Sequence, residues 1–199
     1  MCNDEITAYQ ALNELAAQKG IVIFGGSADR EIPLCELKQA FSLDADLYNR
    51  SFTGLSVDNA AALYDACVAD LQPETILLHL GEADLHTFRE NSAVFDQKYR
   101  ALIAHIRTNH PQCNVTVISL SNPENAADIA EMNRHLQVIA ETEQCAYGDI
   151  AAKRVWNPKE TKNVISFMYS LGFVHPLMNR RPVYDLIKIL FCCTPSCAR

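Results

Sequence analysis

Two rhythms of apolar and polar residues run along the chain. Short unbroken apolar runs end at glycine, acid or turn residues: IVIFGG (21–26), TILLHL (75–80) and NVTVISL (114–120). They are brief and rich in β-branched residues, so they predict strands buried on both faces. DLYNRS (46–51) and CAYGDI (145–150) predict two weaker strands. Between the strands, apolar residues return every three or four positions. Phe95, Tyr99, Leu102, Ile103 and Ile106 form one stripe of a helix over 88–109, and Ile129, Met132, Leu136 and Ile139 form another over 124–143. Further helices are expected over 4–18, over 33–42 with Pro33 in the first turn, over 56–71 with Ser56 as cap, and over 181–192. Residues 151–177 read as irregular or partly helical.

Strands alternating with helices imply a three-layer α/β/α sandwich around a five-stranded parallel, flavodoxin-like sheet. The 199 residues show no repeat and no linker, so residues 1–199 are read as one domain. Ligands of such sheets sit beyond the carboxyl ends of the strands. That rule selects Gly25 to Asp29, Ser51 to Gly54 and Gly81 to Asp84.

Charge and cysteine content narrow the partners. The net charge is −7, and basic clusters such as Arg180–Arg181 are short. Nucleic acid and anionic membrane both want a basic face, so neither is expected as a partner. No apolar run reaches the length of a membrane span, and the first twenty residues carry early acids with no continuous apolar core. The expectation is a cytoplasmic protein without signal peptide or span; its oligomeric state is open. Of eight cysteines, Cys2, Cys35, Cys67, Cys113 and Cys145 are scattered singly, and Cys192, Cys193 and Cys197 gather in the tail FCCTPSCAR. No second paired cluster completes a zinc pattern, so the thiols read as free and neither metal nor cofactor is expected.

The histidines divide by place. His79 lies in a strand and reads as a core residue, His86 could face the cleft from just beyond GEAD, and His105, His110 and His135 sit on or near helices and read as solvated. Five of the seven glycines fall in GGS (25–27), TG (53–54), GEAD (81–84) and GFVH (172–175), and the first three stretches follow predicted strands. Ser27 therefore stands on a glycine turn at the end of a buried strand, where it either caps the next element or does chemistry.

In this order the blocks resemble the SGNH hydrolases, also called GDSL-type esterases and lipases, over about residues 20 to 190. GGS matches the family's G-D-S and implies Ser27 as nucleophile. NRSFTG (49–54) matches N-x-x-x-x-G and implies Gly54 as oxyanion glycine. GEAD stands at the G-x-N-D block, with Ala83 at the oxyanion asparagine and Asp84 at the last position. GFVHP (172–176) matches the second half of D-x-x-H-P and implies His175 as base. The segment 131–150 resembles the helix and strand that precede that last block. Three positions depart: Gly26, Ala83 and Gly172 stand where the family has Asp, Asn and the acid that orients the histidine.

The resemblance implies hydrolysis of small carboxylic esters, acyl or acetyl, through Ser27 and His175, at a degenerate site. The alternative is an inactive domain of the same fold that binds a small ligand or a protein partner. Replacing a triad acid costs about 10⁴ in turnover in a serine protease, and removing an oxyanion donor costs about 10²–10³. Asp29, Glu82 and Asp84 are nearby carboxylates, but acids after glycine turns ordinarily bond loop backbone. Phe167, Met168, Tyr169 and Phe173 either line an acyl pocket or pack on the sheet. A phosphate-binding turn at GGSADR is a weaker reading, since phosphate-loop spacing is absent.

Overall fold

The computed structural model describes residues 3–30, 32, 34, 46–150, 154–156 and 164–166. Its strands are β1 (Ile21–Gly25), β2 (Leu47–Asn49), β3 (Thr75–His79), β4 (Asn114–Ile118), β5 (Ala146–Asp149), β6 (Arg154–Trp156) and β7 (Val164–Ser166). They form one sheet in the order β2-β1-β3-β4-β5-β6-β7. The first five are parallel, as the alternation of strands and helices requires. β6 and β7 add to the β5 edge antiparallel. This corrects the expectation of irregular or helical chain there. Three-residue strands are too short to display a period of two.

Successive strand residues face opposite sides of the sheet. Val22, Phe24, Ile76, Leu78, Val115 and Val117 share one face and enter the main core. Ile21, Ile23 and Leu77 face the other way and are also buried. Burial on both faces is what a three-layer α/β/α sandwich demands. The main core is filled by α2 (Ala60–Cys67), α4 (Ser92–Asn109) and α5 (Ala126–Thr142), with α1 (Asn3–Asn13) packed on α2. The helical stripes are buried as expected: Phe95, Tyr99, Leu102, Ile103 and Ile106 on α4, and Ile129, Met132, Leu136 and Ile139 on α5.

Helix boundaries differ from expectation for identifiable reasons. The helix expected over 88–109 is two, α3 (Leu85–Glu90) and α4. Asn91 between them adopts extended backbone, and its side chain accepts from the Val94 N–H as an N-cap. α1 stops at Asn13, whose side-chain oxygen takes Arg50 and whose amide donates to the Cys67 carbonyl. α2 begins at Ala60, not at Ser56: the Ser56 N–H donates to the Asn59 side chain, and its carbonyl accepts from the Ala60 N–H. The helices expected over 33–42 and 181–192 lie, apart from Leu34, outside the described residues.

The register positions the site. Gly25, last in β1, pairs with His79, last in β3. The loops that follow these strands therefore open side by side at the carboxyl edge of the sheet.

Candidate active site

Beyond β1 the chain turns at once. The Asp29 N–H donates to the Gly26 carbonyl at 3.1 Å, closing a turn with Ser27 and Ala28 at its centre. Ser27 and Ala28 are exposed, and Asp29 is buried. The turn is braced from the next strand. Asn49 donates through Nδ2 to the Asp29 carbonyl at 2.6 Å, and its Oδ1 accepts from the Ser51 N–H. Ser51 Oγ accepts in turn from the Gly25 N–H at 3.2 Å. Gly25 permits the close approach of the Asp29 carboxylate: a Cβ there would lie 2.0 Å from Oδ2.

A cavity of about 270 Å³ opens over this turn, bordered by Ser27, Gly54, His79, Gly81 and Ala83. The Ser27 hydroxyl and the N–H groups of Ser27 and Gly54 make no hydrogen bond with a described residue. Gly54 has φ +70°, a backbone state that favours glycine. Gly26 has open space where a side chain would project. A hydroxyl and two open amides on one cavity wall have the makings of a nucleophile beside an oxyanion site.

The third loop supplies backbone but no donor side chain. Ala83 is exposed and brings only a methyl group. Asp84, carried from the motif as a substrate-binding candidate and expected as an acid after a glycine turn to bond backbone, does the latter: it is buried, and both its oxygens accept from the Val57 N–H, at 3.1 and 3.2 Å. Burial pushes its carboxyl up to about 6, against the pull of that N–H. Glu82 borders the cavity and accepts from the Asn122 side chain at 2.8 Å. His175, Gly172, Phe167, Met168, Tyr169, Phe173 and the tail cysteines Cys192, Cys193 and Cys197 lie outside the described residues.

One pair escaped the sequence reading. His79 Nδ1 lies 2.8 Å from Asp29 Oδ2, and both side chains are nearly buried. Burial alone would lower the His79 pKa, but the charge and hydrogen bond of Asp29, helped by Glu82 and the Ser119 backbone, raise it. The signal available in the sequence was register: once β1 and β3 pair, His79 stands opposite Gly25, four residues before Asp29. His86 does not border the cavity; it is exposed and pairs with Glu90. The remaining histidines are tied as well as solvated, His105 to Asp65, His110 to Tyr64 and His135 to Asp96. Among the described residues no group of three or more His, Cys, Asp or Glu side chains is placed to hold a metal ion.

The same architecture occurs in solved structures of other proteins. A GDSL-like lipase from Bacteroides thetaiotaomicron superposes with a TM-score of 0.68 at 16% identity, over 94% of this chain and 96% of that one. TesA superposes with a TM-score of 0.61 at 15% identity, over 88% and 98%. An acetylxylan esterase from Geobacillus stearothermophilus gives 0.56 at 14% identity, over 87% and 95%. No family model matches the chain, and no curated protein matches it in sequence. At these identities the likeness establishes the fold, which is that of the GDSL-like, or SGNH, hydrolases.

Proposed function

We propose that the chain is a serine hydrolase of small carboxylic esters, acyl or acetyl, working with a reduced set of site residues. One observation carries the reading: the exposed Ser27 hydroxyl and the open amides of Ser27 and Gly54 share one cavity at the carboxyl edge of the sheet. The neighbours support the reaction class. They include a lipase and an acetylxylan esterase on the same architecture.

In this reading Ser27 Oγ attacks the ester carbonyl carbon while His175, the base implied by GFVHP, takes its proton. The amides of Ser27 and Gly54 hold the oxyanion. The C–O bond then breaks, and the alcohol leaves with the proton from His175. Water adds to the acyl-serine by the same steps in reverse order and releases the acid. Ala83 adds no hydrogen bond, so two donors do the work ordinarily shared by three. Buried Cys67 and Cys113 are free thiols, in keeping with a reducing, cytoplasmic compartment. No helix among the described residues is long and apolar enough to cross a membrane.

The test is hydrolysis of p-nitrophenyl acetate and butyrate by wild type and Ser27→Ala. Turnover falls to background in the variant if Ser27 is the nucleophile. Equal rates overturn the mechanism. Background rates in both, together with saturable ligand binding, favour the alternative of an inactive binding domain, for which the methyl of Ala83 and the open space at Gly26 are the supporting observations.

A further inference from the structure

We propose that His79 is a positioning residue for Ser27, acting through Asp29 to hold the turn that presents the hydroxyl. The inference rests on the reading of Ser27 as nucleophile.

The turn has few degrees of freedom left. Asp29 is fixed at three points: its N–H by the Gly26 carbonyl, its C=O by Asn49 and its carboxylate by His79. Gly26 is fixed at the other end, its N–H donating to the His79 carbonyl at 3.2 Å. Ser27 and Ala28 span the two residues between. His79 therefore grips both ends of the turn, one through its backbone and one through its ring. Of these anchors only the ring can change charge near neutral pH.

The ring is a clamp and not the base. Nδ1 is engaged by Asp29, Nε2 is buried, and the Ser119 backbone at the end of β4 also acts on the ring as acceptor. Neither nitrogen is open to an exposed hydroxyl, which leaves proton transfer to another group. Among the described residues the groups that act on the ring accept or are negative: Asp29 from the turn after β1, Glu82 from the loop after β3, and the Ser119 backbone just beyond β4. Such surroundings favour the imidazolium, which donates from both nitrogens. A ring whose pKa is raised contributes its full stabilisation below about 6.5, the unfolded value, and loses it as pH rises through the folded value. The clamp therefore loosens on the alkaline side.

The experiment reads amide hydrogen exchange at Asp29 and covalent capture of Ser27 by a fluorophosphonate, from pH 5 to 9. It uses the full chain as wild type, His79→Gln and Asp29→Asn, with His105→Gln as a surface control. Wild-type protection at Asp29, relative to an unstructured amide, is expected to fall about 10-fold or more as His79 loses its proton. His79→Gln should lack that step and show about 10–100-fold less protection at pH 6, the effect of losing a charge-assisted hydrogen bond. Asp29→Asn should weaken the step and move it to lower pH. Capture of Ser27 should follow protection in each case, and His105→Gln should follow wild type. A pH-independent protection in wild type, or wild-type behaviour in His79→Gln, overturns the proposal. If His79→Gln does not fold, the wild-type pH step alone decides. If Ser27 is never captured while the step is present, the hydrolase reading fails and the clamp on the turn stands.

Discussion

Two loops meet over the cavity, and they are built by opposite means. The turn after β1 keeps the Ser27 side chain outward and is braced by Asn49 from β2, by His79 from β3, and by its own Asp29 folded back over Gly25. The loop after β3 sends its braced carboxylate, Asp84, inward to the Val57 N–H and shows the cavity only the Ala83 methyl. The bracing of a loop and the supply of a donor are thus separable. The β3 loop keeps the first without the second. A loop held by buried bonds can change one exposed residue without changing shape, so the residue at position 83 can lack a donor while the loop keeps its form.

The sharpest test of this contrast installs the donor. With Asp84 holding the loop, Ala83→Asn should set a side-chain amide at the cavity rim and raise ester turnover by up to about 10²–10³, the usual worth of one oxyanion donor. Turnover by wild type and variant on p-nitrophenyl acetate, with Ser27→Ala as the blank for each, measures it. An unchanged rate would mean that the β3 loop is not aligned with Ser27, and the parallel between the two loops would break.

The next test attacks the bracing on the other side. Gly25→Ala places a methyl carbon where Asp29 Oδ2 now lies, 2.0 Å away, with the His79 carbonyl at 3.1 Å. Neither neighbour is the far end of a flexible chain, because Asp29 is held at three points. Overpacking of this kind costs about 1–3 kcal/mol. Chemical denaturation should report that loss, and Asp29 exchange should quicken beyond what the global loss explains. Gly26→Ala is the matched control, since its added carbon meets nothing within 4 Å. Equal effects from the two variants would show that the carboxylate does not need the space over Gly25.

How much of this was legible follows from the range of the forces involved. β1, β3 and β4 announce themselves because a strand buried on both faces must be apolar throughout. The α4 and α5 stripes announce themselves because one helical face meets the core. Ser27, Gly54 and Ala83 were singled out by their place after strands together with the resemblance, and all three border the cavity. The break at Asn91 was not read, because a cap inside an amphipathic run leaves the apolar spacing undisturbed. The His79–Asp29 pair was not read either: fifty residues separate the partners, and only strand register brings them together. Asp84 was placed at the site by its motif, yet its burial depends on α2 beginning where Val57 can present its N–H.

Asp84 also supplies the smallest and most selective test, because its effect should appear in one pH window. Its carboxyl titrates at about 6 in the folded chain and at an ordinary 3.8 in the unfolded chain. The folded state thus binds the proton more tightly. The group's stabilising contribution is complete below about pH 4 and is lost as pH rises to about 6, leaving a buried charge held by one backbone N–H. Asp84→Asn removes the charge and keeps an oxygen able to accept from Val57. The stability difference between variant and wild type should therefore be flat below pH 4, grow in the variant's favour from pH 4 to 6, and level off above. Its ceiling is about 3 kcal/mol, the free energy of a two-unit displacement. Taking the difference cancels the separate alkaline loss expected from His79, which the two proteins share. A difference curve flat from pH 4 to 8 would mean that the Asp84 carboxylate is not strained by burial, and that the β3 loop is braced by its backbone alone.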